Sequence, residues 1–148
     1  MAVCIRAIAA SEYDAAAQLI AATFRDCVAA SMTPRGIRTF LDYATAEAIR
    51  SRDASGCASY VALLENRLVG VLHVRNAEHI SLLFVLPEYQ GRGIGHALIR
   101  AADESKPLAT VNSSTNAVRA YERCGFRVSG PEQVVDGIRH VPMRRQAA

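Results

Sequence analysis

The spacing of apolar residues changes several times along this chain, and each change marks a structural element. Residues 3–8 alternate well enough for a first strand. Ser11 then reads as a helix N-cap with Asp14 at N3, followed by Ala16, Leu19, Ile20 and Phe24 at helical spacing. Thr33-Pro34 is a second start signal, N-cap then N1, and Ile37, Phe40, Leu41 and Ala44 supply one apolar face. A further helix is predicted over 46–51. Residues 60–64 and 68–74 are apolar, β-branched-rich runs joined by Glu65-Asn66-Arg67, and Asn76-Ala77 turns the chain again before 79–86. A helix follows from Gly93 to about Glu104, with a stop at Lys106-Pro107. Next come a strand over 108–111 and a helix over 115–123 closed by Gly125. Final strands at 126–128 and 137–143 flank a Gly130-Pro131 turn.

Strands that follow one another through short turns pair antiparallel, whereas two strands joined by a helix become parallel neighbours through a right-handed crossover. The order therefore predicts an α+β fold, a mixed and mostly antiparallel twisted sheet flanked by helices. One parallel pair is expected, between the strand before Gly91 and the strand at Leu108. At 148 residues, with no repeats or low-complexity segments, the chain is expected to form a single domain over 1–148.

Composition narrows the function classes. Hydrophobic residues make up 51% and charged residues 21%, and no run of 18 apolar residues or cationic-then-apolar leader is present. The expectation is a cytoplasmic protein with no membrane partner. A net charge of +3 falls short of the basic stripe that nucleic-acid binding requires. Cys4, Cys27, Cys57 and Cys124 form no C-x-x-C pair and read as reduced, small core residues, and the four scattered histidines have no ligand-spaced partners, so no metal is expected.

The most telling stretch is Gln90-Gly91-Arg92-Gly93-Ile94-Gly95, between an apolar strand and a helix. Glycines let the backbone pass close to a ligand, and the helix N-terminus turns free N–H groups toward it, an arrangement suited to a diphosphate. A P-loop would need Lys and Ser or Thr directly after its last glycine, where His96 and Ala97 stand, and a dinucleotide fingerprint would need glycine at position 96. The pattern resembles the acyl-CoA signature of the GNAT superfamily of N-acetyltransferases, Gln/Arg-x-x-Gly-x-Gly/Ala, at Gln90, Gly93 and Gly95. By this resemblance Gln90, Gly91, Arg92, Gly93, Ile94, Gly95 and His96 surround the diphosphate of acetyl-CoA.

A second stretch, Tyr121-Glu122-Arg123-Cys124-Gly125-Phe126, resembles the family's helix ending in Tyr-x-x-x-Gly-Phe. The resemblance makes Tyr121 the general acid beside the cofactor sulfur, while Gly125 and Phe126 read as a helix cap and its packing contact. Family members commonly carry an Asn seven residues before that Tyr. Here Ser114 holds the place, between Asn112 and Asn116, and by the resemblance the cofactor contact passes to Ser114, or to a neighbour if the loop shifts.

Acetyl transfer needs a deprotonated amine, a polarised thioester carbonyl and a proton for the departing thiolate. A phenol of pKa ~10 and a thiol of pKa ~8.5 are close enough for that last transfer. For the base, alternation sends Glu78 and His79 to opposite faces, and His79 matches the position where several family members place a catalytic Glu. His73 on the neighbouring strand reads as structural. The resemblance also assigns the main chain of Leu83, Phe84 and Val85 to the pantetheine arm and the thioester carbonyl. It implies direct attack within a ternary complex by a primary amine, either a small molecule or a protein or peptide amine. A non-catalytic acyl-CoA sensor and a transferase of another acyl group such as succinyl stand as alternatives, and since relatives commonly dimerise, a homodimer is left open.

Overall fold

A computed structural model describes residues 2–146 of the chain. Eight strands, β1 (Cys4–Ala7), β2 (Ala58–Leu64), β3 (Arg67–Arg75), β4 (His79–Val85), β5 (Thr110–Ser113), β6 (Arg127–Val128), β7 (Gln133–Val135) and β8 (Ile138–Arg144), form a sheet in the order β1-β2-β3-β4-β5-β8-β6, with β7 added to β8. Every pairing is antiparallel except β4 with β5. Five helices flank the sheet: α1 (Tyr13–Cys27), α2 (Pro34–Tyr43), α3 (Ala46–Ala54), α4 (Ile94–Asp103) and α5 (Val118–Arg123). This is the α+β arrangement that the element order predicts, with α4 as the crossover between the parallel strands.

Hydrophobic burial holds the layers together. On one face Ile94, Leu98 and Ile99 of α4 pack on Leu72, Ile80 and Met143. On the other, Leu19 and Ile20 of α1 and Ile49 of α3 pack on Val71 and Leu82. Phe24 stacks on Phe40 with ring centroids 3.9 Å apart, and Phe40 meets Phe84 edge-on at 5.6 Å, joining α1, α2 and β4. Removing a wholly buried ring such as Phe24 costs about 3–5 kcal/mol.

The strand β4 departs from regular pairing in two ways. Val74 pairs with Ile80 and His73 with Leu82, so Ser81 is an extra residue with no partner on β3. Such a bulge shifts the side-chain parity and bends the strand. In addition, β4 pairs with β5 only at His79↔Thr110 and Ile80↔Val111. Beyond Ile80 the two strands part.

Several boundaries differ from expectation for local reasons. Ser11 is not the cap of α1; a short 3-10 turn over Ala10–Glu12 precedes it, and the Glu12 carboxylate accepts from Ala9 N–H (2.8 Å) and pairs with Arg6. Thr33 caps α2 as expected, accepting from Gly36 N–H at 3.1 Å. β5 begins at Thr110 rather than Leu108, because Leu108 N–H donates to Asp103 and its carbonyl accepts from Arg145. α5 begins at Val118, since 114–117 form a turn closed by Ala117 N–H to Ser114 O at 3.1 Å. The three residues of β7 are too few for their alternation to register in the sequence. The cysteines are not fully buried: Cys4 is exposed and the other three are half-buried, with Cys124 packing against the core, because each stands at or just beyond the end of an element.

Candidate active site

Where β4 and β5 part, a cleft of about 1030 Å³ opens between the two halves of the sheet. Every predicted site residue except Arg92 lines it: His79, Leu83, Phe84, Val85, Gln90, Gly91, Gly93, Ile94, Gly95, His96, Ser114 and Tyr121. Past Ile80 the edge of β4 facing β5 has no strand partner, so its main-chain groups are available to an extended ligand.

One end of the cleft is built from backbone. Gly91 and Gly93 have φ of +77° and +83°, a region that side chains disfavour, and a Cβ placed on either would meet no atom within 4 Å. That empty space is what a closely approaching diphosphate requires. Gly93 is the N-cap of α4 and offers no side-chain acceptor, which leaves the first-turn N–H groups for an anion. Gly95 is different: it lies inside the first turn with room for a methyl against Leu83 and Val85. Gln90 donates its Nε2 to Val85 O at 2.9 Å and so pins the turn onto the end of β4. Arg92 lies outside the cleft wall with its guanidinium 5.4 Å from the centre of the Tyr89 ring.

Across the cleft, Tyr121 is 8% exposed and packs edge-on against the wholly buried Phe126 at 5.8 Å. Gly125, at φ +95°, turns the chain so that Phe126 N–H reaches Tyr121 O. Burial, with a smaller contribution from Cys124, raises the Tyr121 pKa above the ordinary phenol value, so the hydroxyl keeps its proton. Ser114 donates to Asn116 Oδ1 at 2.7 Å, and Asn116 donates to Cys27 O at 2.8 Å, tying the β5–α5 turn to the end of α1.

At the other end of β4, His79 Nδ1 lies 2.7 Å from Thr110 Oγ1. Burial, then Arg75, then His140 push its pKa down to about 4, so the imidazole is neutral at physiological pH. Glu78 points elsewhere, 3.6 Å from Lys106. His73 is fully buried beneath α3: Arg52 Nε donates to its Nε2 at 3.0 Å, Ser59 Oγ lies 2.8 Å from Nδ1, and its pKa is pushed down to about 4, chiefly by burial. Since Nε2 accepts from Arg52, Nδ1 carries the proton.

The sequence does not single out Tyr43, Ser81 or His140, which also line this end. Tyr43 OH is hydrogen-bonded to Ser81 Oγ, while Arg52 lies 3.6 Å over the Tyr43 ring and donates to its carbonyl at 2.6 Å. A lone Ser inside the apolar run Ile80–Leu82 was the one signal the sequence offered. α2 and the β7–β8 hairpin meet across the opening, with Thr39 Oγ1 donating to Asp136 O at 3.0 Å and Arg35 pairing with Asp136 at 3.3 Å. Their backbones touch at Gly36 and Gly137, where an added Cβ on Gly36 would fall 2.0 Å from Gly137 O.

Comparison with known proteins places this geometry. Residues 28–147 match the family described as the acetyltransferase (GNAT) domain. A 62-residue stretch is 39% identical to the peptidyl-lysine N-acetyltransferase YjaB of Salmonella typhimurium, covering 40% of this chain and 43% of that protein. In that match the chain thus spans less than half the relative's length. A GCN5-related N-acetyltransferase from Rhodopseudomonas palustris superposes with a TM-score of 0.79 at 20% identity, covering 99% of this chain and 97% of that one. The PaiA N-acetyltransferase of Thermoplasma acidophilum, solved with coenzyme A, superposes with a TM-score of 0.78 at 15% identity over 99% and 100% of the two chains. At these identities the structural likenesses establish the fold.

Proposed function

We propose, from the premise that the chain belongs to the GNAT acetyltransferase family, that it is an N-acetyltransferase that moves an acetyl group from acetyl-CoA to a primary amine by direct attack in a ternary complex. The observation that carries this reading is one cleft that has an anion cradle of free N–H groups at one end of β4, a neutral imidazole at the other and a protonated phenol across from the open strand edge.

Acetyl-CoA supplies a thioester whose acyl carbon is open to an amine. Gly91, Gly93 and the first turn of α4 hold its diphosphate, and the free edge of Leu83–Val85 aligns the arm and polarises the carbonyl. In the tautomer whose Nδ1–H donates to Thr110 Oγ1, 2.7 Å away, His79 keeps a lone pair on Nε2 that takes a proton from the amine as the C–N bond forms. Tyr121 gives its proton to the sulfur as the C–S bond breaks, so a neutral thiol leaves. Burial keeps His79 unprotonated and Tyr121 protonated before the reaction; the same shifts make the imidazole a weaker base and the phenol a weaker acid, so both proton transfers depend on bond making and breaking being well advanced.

The test is thiol release from acetyl-CoA across a broad amine library, with acetyl-CoA binding measured separately by calorimetry. Amine-dependent release, with acetyl-CoA preferred over succinyl-CoA in competition, is the expected result. Tight cofactor binding with no release under any amine would instead identify a non-catalytic sensor.

A further inference from the structure

Arg75 ends β3 and His79 begins β4, and the two are direct cross-strand partners. Their side chains therefore leave the same face of the sheet, side by side, at the mouth of the cleft that both line. Their proximity also registers in His79, whose proton affinity Arg75 lowers. Arg75 is exposed and has no carboxylate within ion-pair range among the described residues. It cannot serve the diphosphate cradle, because the seven residues of β4 set the two apart by roughly 20 Å at ~3.3 Å per residue.

The other charges near this mouth do not neutralise it. Among the described residues Asp136 is the one carboxylate lining the cleft, and it is engaged by Arg35 at 3.3 Å. Arg139 is paired with Glu132 at 3.7 Å, and His140 adds no negative charge. An acceptor amine arrives mostly as an ammonium, and a second cation is repelled by such a surface. A carboxylate in the same molecule cancels the repulsion and offers Arg75 a charge-assisted, two-pronged contact.

We propose that the acceptor is an amine that also carries a carboxylate, which Arg75 holds while the amine is presented to His79. This rests on the transferase reading above. Two sources supply that chemistry, a free amino acid and a lysine side chain flanked by acidic residues. By charge repulsion the same residue disfavours acceptors that are cationic throughout, such as polyamines.

The experiment compares matched pairs by thiol release: amino acids against their carboxamides, and lysine peptides with Glu against Gln beside the lysine, each corrected for the free-base fraction of the amine. In at least one pair the carboxylate member is expected to show a kcat/KM higher by about tenfold or more, carried by KM and shrinking as salt rises. Arg75→Gln should bring that ratio to near unity, and Arg75→Lys should restore part of it. A preference in the amino-acid pair alone identifies a free amino acid as the source, and in the peptide pair alone an acidic peptide. Equal rates within every pair, or a preference that survives Arg75→Gln, would overturn the proposal and leave the transferase intact. No release with any amine would remove both.

Discussion

The two ends of the cleft are made differently. The cradle end is nearly all backbone from one continuous segment, Val85 to His96, whose glycine torsions and open helix N-terminus do the work. The end proposed for the acceptor is made of side chains from β3, β4, α2 and β8, and the strap across it joins Arg35 to Asp136 over a separation of 101 residues. A site made of consecutive backbone leaves its signature in consecutive letters. A site assembled from remote side chains leaves scattered letters that gain meaning only after folding.

If this division is right, a change at one end should leave the other intact, and the largest effect belongs to the group facing both. Tyr121→Phe should lower kcat by roughly 10- to 10⁴-fold with acetyl-CoA affinity unchanged in calorimetry; an unaltered kcat would reduce the ring to packing. Gly93→Val should confine its damage to the cradle. A branched residue at φ +83° projects into the space proposed for the diphosphate, so acetyl-CoA Kd should rise by about tenfold or more. Normal affinity in a folded variant would contradict the anion site.

Gly36→Ala probes the opposite end. Its new methyl meets the backbone of Gly137, and relieving that overlap should cost roughly 1–3 kcal/mol, a drop in Tm of about 2–12 °C, and raise acceptor KM with acetyl-CoA binding preserved. A matching loss of acetyl-CoA affinity would show the two ends to be coupled. The smallest effect near neutrality comes from pH. His73 and His79 both have folded pKa values near 4 against an ordinary 6.5, so proton uptake favours the unfolded chain. Above pH 6.5 neither state takes up the proton, and Tm should not respond to these groups. As pH falls from 6.5 toward 4 the stabilisation is lost, and Tm should drop through that window; a Tm that holds steady there would show that the two rings are not kept neutral by the fold.

The same division explains what was legible beforehand. Strand and helix order and the parallel pair followed from local patterns, and the lining of the cleft by Tyr121 and by Gln90–His96 apart from Arg92 agrees with the family resemblance that those motifs carry. His79 reached the cleft because strand parity separates it from Glu78. Tyr43 and Ser81 were not legible, since their meeting depends on a bulge that places Ser81 and Leu82 toward the same helices, and a bulge is a property of the register between strands. The cap at Glu12 was missed for a related reason: Ser11 fits the local rule, but Arg6 and Ala9 N–H both draw on the Glu12 carboxylate once β1 is in place. Arg92, a cation inside the motif, lies 5.4 Å from the centre of the Tyr89 ring and does not line the cleft.

The touching backbones of Gly36 and Gly137 also bear on how the molecule assembles. They bring together segments from opposite ends of the chain, and closing so long a loop is entropically unfavourable until the sheet between them has formed. The strap should thus be among the last parts of the molecule to close and the first to open, visible as faster amide exchange near the β7–β8 turn than in α4. The end of the cleft proposed to receive the acceptor is then also the end with the shortest memory of its shape.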